Sequence, residues 1–150
     1  MDKNIKRTIQ ALLDRHRVMS IATLRPDGWP QATTVGFVNE GLSIYFLCGP
    51  DSQKAHNLSL DDRVSLTIND DPADIMRITG LSMAGRAQPV EDRAEAARLM
   101  ALMPLKYPDS PPLPMAMPTP DQVRIFCVTP SVISVLDYSK GFGHTDLVTA

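Results

Sequence analysis

The sequence predicts a mainly β fold with inserted helices, an antiparallel barrel of six to seven strands. Three observations predict it. From Arg17 onward, short apolar runs that alternate with polar residues are separated by turn sequences such as Arg25-Pro26-Asp27-Gly28 and Asn39-Glu40-Gly41. The first three runs follow one another with no room for crossover helices, which disfavours a parallel βαβ plan. Helical segments lie at the start and in the middle, where they can plug or flank the ends of a barrel. A chain of 150 residues, 43% apolar and 21% charged, fits one domain over residues 1–150.

Taken in order, Ile5, Ile9, Leu12 and Leu13 fall at helical spacing between Lys6, Arg7, Gln10 and Asp14, and predict an amphipathic first helix. Val18 to Leu24 reads as a strand, Pro30 to Val38 as its hairpin partner, and Leu42 to Cys48 as a third strand. A short helix from Ser52 to Leu60 and a strand from Arg63 to Ile68 follow. Ile75 to Val90 is rich enough in Ile, Leu, Met and Val for one long strand, or two with a bend at Gly80 or Gly85. Glu91 to Met103, with its Ala and Leu, reads as a helix. Residues 104–121 form a proline-rich loop with no regular element expected. Val123 to Val128 and Val132 to Tyr138 read as two strands joined at Thr129-Pro130-Ser131, and residues 139–150 as an irregular tail.

Charge and cysteine content exclude several classes. A net charge of −2 without a basic run gives no field for nucleic acid. No long apolar segment suggests a membrane span, the charged first twenty residues are unlike a signal peptide, and two cysteines cannot make a disulfide framework, so a cytoplasmic setting is expected. Three widely spaced histidines give no metal constellation.

The most informative stretch is Cys48-Gly49-Pro50-Asp51-Ser52-Gln53-Lys54-Ala55-His56-Asn57-Leu58, where a strand breaks and a helix starts with Ser52 and Lys54 at its first turn. A helix N-terminus offers free N–H groups and partial positive charge, so it suits a phosphate, to which a hydroxyl and an ammonium would add. The plain alternative is a helix cap beside a solvated lysine.

With Val18-Met19-Ser20-Ile21-Ala22-Thr23, Asp27-Gly28-Trp29-Pro30, Gly36-Phe37-Val38, Tyr45-Phe46-Leu47, Asp62-Arg63-Val64-Ser65-Leu66 and Gly85-Arg86-Ala87, this stretch resembles the pyridoxamine 5′-phosphate oxidase-related family of FMN-binding split barrels. The resemblance spans roughly residues 5 to 138. It implies a homodimer with FMN held non-covalently at the subunit interface and hydride transfer at flavin N5 to or from a small-molecule substrate. It assigns Ser52, Gln53, Lys54 and Asn57 to the phosphate end. It places Thr33, Thr34 and Val35 at the ring system and Leu47 and Cys48 under the ribityl chain or ring. Tyr138 and Phe142 would stack on or cover the flavin, and His144 is the candidate proton donor.

The sequence also departs from the family pattern. Arginines of the phosphate site fall on Gln53 and Ala32, a flavin-contacting glutamine falls on Gly80, and Asp51 adds a negative charge beside the expected phosphate. The paired arginine and histidine that grip a vitamin B6 phosphate are missing, with only His144 left, so vitamin B6 oxidation is not expected. The resemblance leaves FAD, deazaflavin and haem as alternative ligands, and a carrier or sensor, a deazaflavin-dependent reductase or a cofactor-free barrel as alternative roles. Five apolar residues, Leu105, Tyr107, Leu113, Met115 and Met117, suggest that the proline-rich loop is a lid or an arm wrapping the partner.

Overall fold

The computed structural model describes residues 1–150. Helix α1 (Lys3–Arg15) starts where Asp2 accepts hydrogen bonds from the backbone N–H groups of Asn4 and Ile5. Eight strands follow in one antiparallel sheet: β1 (Val18–Leu24), β2 (Pro30–Gly36), β3 (Val38–Glu40), β4 (Ser43–Cys48), β5 (Arg63–Asn69), β6 (Thr79–Pro89), β7 (Arg124–Asp137) and β8 (Thr145–Thr149). Helix α2 (Gln53–Leu60) lies between β4 and β5, and α3 (Arg93–Leu102) between β6 and β7.

The neighbours run β2-β1-β5-β6-β7-β4-β3, with β8 paired to β7 off this path. The two ends of that order, β2 and β3, are the same stretch of chain, separated only by buried Phe37. That bend curls the sheet round on itself, while β2 beyond β1 and β8 beyond β7 keep an unpaired edge. Counting the bent segment once leaves six barrel strands plus β8, so the expected mainly β, six- to seven-stranded antiparallel split barrel is what the chain forms. The expected Asn39-Glu40-Gly41 turn is displaced, because Asn39 and Glu40 pair with Ile44 and Ser43.

Strict alternation fills the barrel. Val64, Leu66 and Ile68 of β5 are buried while Arg63, Ser65, Thr67 and Asn69 are exposed. One core joins the barrel interior to Ile9, Leu12 and Leu13 of α1, and the rings of Phe46 and Phe126 stack at 5.5 Å within it. A second cluster, Ala96, Leu99, Met100 and Ile125, sits under α3 and takes in the outward-facing Tyr45 and Leu47 of β4. Full burial of a side chain such as Leu99 contributes about 2 kcal/mol.

Three expectations are corrected. The first is the pair of closing strands: β7 is one strand of 14 residues that runs through Thr129-Pro130-Ser131. The register against β6 jumps from Ala84↔Val132 to Gly85↔Pro130, so a bulge absorbs Ser131 and the proline needs no N–H in the ladder. Gly85 permits this approach, since a Cβ there would lie 2.5 Å from the Thr129 carbonyl oxygen. The second is the irregular tail at 139–150. It turns through Gly141 and Gly143, both at positive φ, and returns as β8 along Val132–Leu136 of β7. The third is Ile75 to Val90, where β6 begins only at Thr79 after a 3-10 turn at Ile75–Arg77 and bends at neither glycine into two strands. The proline-rich loop has 3-10 turns at its borders, Met103–Lys106 and Pro120–Gln122.

Candidate functional site

At the head of α2 the Ser52 hydroxyl does two jobs. It accepts from the Ala55 backbone N–H at 3.2 Å and donates to the Gly49 carbonyl at 2.7 Å. The first bond of the helix ladder runs from the His56 N–H to the Ser52 carbonyl, so the Gln53 and Lys54 amides precede it. Lys54, in the same first turn, is half-buried and makes no ion pair and no side-chain hydrogen bond. Asp51 is exposed beside it.

A buried polar chain fixes this helix against the barrel. Gln53 Nε2 donates to Asn57 Oδ1 at 2.7 Å, and Asn57 Nδ2 donates to Thr23 Oγ1 at 3.0 Å and to Gln31 Oε1 at 3.3 Å. Asn57 is 0% exposed, so it is the bolt between α2 and the β1–β2 hairpin and no part of the accessible surface. On β2, Gln31, Thr33 and Val35 share one face. Thr33 Oγ1 is the one buried side-chain N or O atom in the chain without a hydrogen-bond partner. Val35 packs against the core. Thr34 points to the other face, where Ala32 and Gly36 flank it and Ser20 of β1 lies opposite. These side chains are small, so a flat ring can approach the backbone there.

The remaining expected residues divide between two ends of the molecule. Leu47 packs into the cluster under α3, and Cys48 lies in the barrel core on the opposite side of β4, so their side chains do not share one surface. Tyr138 and Phe142 meet edge to face with ring centroids 5.2 Å apart, and Phe142 is 75% exposed. His144 Nε2 lies 3.2 Å from Asp146 Oδ2, and Lys140 Nζ lies 3.6 Å from the same oxygen. This group adjoins the Thr79↔Asp137 pair, whereas α2 leads into β5 at Arg63. The length of β5 separates them, about 20 Å at strand rise. One protomer therefore does not bring Tyr138, Phe142 and His144 to Ser52 and Lys54.

The proline-rich loop is anchored where β2 ends. Lys106 Nζ donates to the carbonyls of Leu13 at 2.9 Å and His16 at 2.7 Å and to Asn39 Oδ1 at 3.2 Å, and sits 4.0 Å above the Phe37 ring. It caps the carbonyl end of α1 with a cation. Burial lowers its pKa from 10.5 to about 8. The Tyr107 ring lies under Arg17 at 5.3 Å, with its hydroxyl close to Gly36. Beyond this anchor Leu105, Leu113, Met115 and Met117 are exposed.

Thr23, Gln31 and Asn57 together were not visible as a network from sequence, since Thr23 and Gln31 read there only as strand residues. Their strands are adjacent in sequence, but the helix that bonds to both is not.

Fold and site thus define a class: an antiparallel split barrel with an unpaired lysine in the first turn of a helix bolted beside a bare strand face. The chain belongs to the pyridoxamine 5′-phosphate oxidase family, whose model matches residues 5–137. No functionally curated protein matches it. Among solved structures, a conserved hypothetical protein of Mycobacterium tuberculosis is similar with a TM-score of 0.78 at 25% identity, over 100% of this chain and 94% of that one. An F420 reductase is similar with a TM-score of 0.66 at 25% identity, over 83% of this chain and 94% of that one. A haem-binding protein of Mycobacterium smegmatis has a TM-score of 0.68 at 24% identity; the match covers 96% of this chain and 56% of that longer one. No helix is long and apolar enough to cross a membrane.

Proposed function

We propose that this protein is a homodimeric, FMN-binding oxidoreductase with its flavin between subunits. The observation that carries the reading is the unpaired Lys54 at the head of α2, tied through Asn57 to the strand that bears the unpartnered Thr33 hydroxyl. Unfilled hydrogen-bonding capacity on two elements locked together is what a phosphorylated aromatic ligand would use. Lys54 and the first-turn amides would hold the phosphate, with Ser52 exchanging its bond to Gly49 for one to the ligand. Thr33, Thr34 and Val35 would orient the ring through the β2 backbone and hydroxyls. When bound, the flavin would supply hydride transfer.

The distance between the two ends of the barrel makes the second subunit necessary to this reading. Tyr138, Phe142 and His144 of one protomer would complete the site built on α2 and β2 of the other. His144, held by Asp146, would there hold or pass a proton on the substrate side. Gln53 and Asp51 leave a phosphate site with less positive charge than the family pattern carries. This, with the F420 reductase and haem-binding relatives, supports deazaflavin reduction or ligand carriage as the second reading.

The test is a visible absorbance spectrum of the purified protein with and without added FMN. Flavin bands that follow the protein through gel filtration and lose about tenfold in affinity in Lys54→Ala support the reading. A Soret band, or preference for deazaflavin in competition, selects the second one.

A further inference from the structure

The face of α2 turned away from Asn57 closes over a cleft of about 690 Å3 that the flavin reading does not use. Its floor is apolar, made by Ala55, Leu58 and Phe126, and Pro50 and Pro89 form its rims. The volume is that of a small-molecule site. His56, Ser59 and Leu60 also line it from the helix, Ser59 on the side opposite the Gln53–Asn57 row.

Charge makes the cleft selective. Both carboxylates that line it are already engaged from outside. Arg63 Nη2 lies 2.6 Å from Asp61 and holds its carboxyl down at about pKa 2. Arg86 Nη1 lies 2.5 Å from Asp62, whose other oxygen accepts from Gln88 Nε2 at 2.5 Å. Arg124 is different. It lies opposite Cys48 at the start of β7, lines the cleft, and makes no ion pair and no side-chain hydrogen bond. Gln88 faces Cys127 in the register, three residues along β7 from Arg124, so the strand positions that carry Gln88's partner and the free guanidinium are about 10 Å apart along β7.

We propose that this cleft is a second ligand site, selective for small organic acids with a short apolar body. The carboxylate pairs with Arg124, which offers a planar fork of donors matched to it, and the body lies on Phe126, Leu58 and the two prolines. Asp61 and Asp62 are held by Arg63 and Arg86 and offer the acid no donor, which leaves Arg124 as the cation in the cleft that its carboxylate can pair with. The site takes no residue from the flavin reading and stands whether or not that reading holds.

Two-dimensional amide NMR of the intact protein, titrated with benzoate and hexanoate and with benzamide as uncharged control, tests it. Both acids should shift the amides of His56, Gln88 and Arg124, while benzamide binds at least about tenfold more weakly. Arg124→Gln should weaken both acids about tenfold and Arg124→Lys less, because lysine keeps the charge without the fork. Lys54→Ala should leave acid binding unchanged, and Arg124→Gln should leave flavin binding unchanged. Equal binding of benzoate and benzamide, undiminished binding in a folded Arg124→Gln variant, or no shift at these amides would each overturn the proposal.

Discussion

Replacing Asn57 by Ala removes the bolt between α2 and the barrel, and the structure sets the expected loss. Three hydrogen bonds disappear, two donated to Thr23 and Gln31 and one accepted from Gln53. Each such bond contributes about 1 kcal/mol net. Gln31 and Gln53 reach solvent and can rebond to water, so their loss is partly recovered. Thr23 is 2% exposed, so its hydroxyl stays orphaned at about 1–3 kcal/mol, and the small void adds to that. The sum is a destabilisation of about 2–4 kcal/mol, a fall in Tm of about 5–12 °C for a chain of this size. Urea unfolding followed by far-UV circular dichroism reads it, because the single tryptophan, Trp29, is 72% exposed and a poor reporter. Lys54→Ala is the paired control. Lys54 makes no polar side-chain contact, so its removal should leave stability within about 0.5 kcal/mol while lowering flavin affinity. A loss below about 0.5 kcal/mol for Asn57→Ala, with an unchanged slope in urea, would refute the network as a stabilising element.

Three further outcomes are expected. Gly85→Ala should cost about 1–3 kcal/mol, since the new Cβ meets backbone at the β7 bulge, whereas Gly49→Ala, with nothing within 4 Å, should be nearly neutral in the same thermal melts. Lys106 titrates at about 8 folded and 10.5 unfolded, so the unfolded chain binds more protons between those values. Unfolding free energy should therefore gain an upward slope across that window, and Lys106→Met should lose it in urea titrations run at stepped pH. If the exposed Leu105, Leu113, Met115 and Met117 dock on a partner subunit, the loop should resist limited proteolysis in the dimer, and rapid cutting near Pro111 would show that it is free.

How far the sequence reached can be judged from particular elements. The apolar stripe of α1, the start of α2, the β1–β2 hairpin and the alternation in β4 and β5 were legible because caps, turns and side-chain period are properties of neighbouring residues. Pro130 misled for the same local reason. A proline in mid-run reads as a break, and only Gly85 on the facing strand lets the bulge carry it through. The tail was illegible because β8 has little apolar content and is held by the exposed partner groups of β7.

For the candidate site the division is similar. The sequence alone determined that a serine-capped helix with a first-turn lysine follows an aromatic strand, and with it the family. Tertiary structure alone decided that Phe37 joins the two ends of the sheet, that Asn57 faces inward as a bolt, that Lys54 and Arg124 remain unpaired, and that the Tyr138–His144 group adjoins the far end of β5 from α2. Those facts depend on which distant strands share hydrogen bonds and in what register, and no short stretch of chain encodes a register by itself.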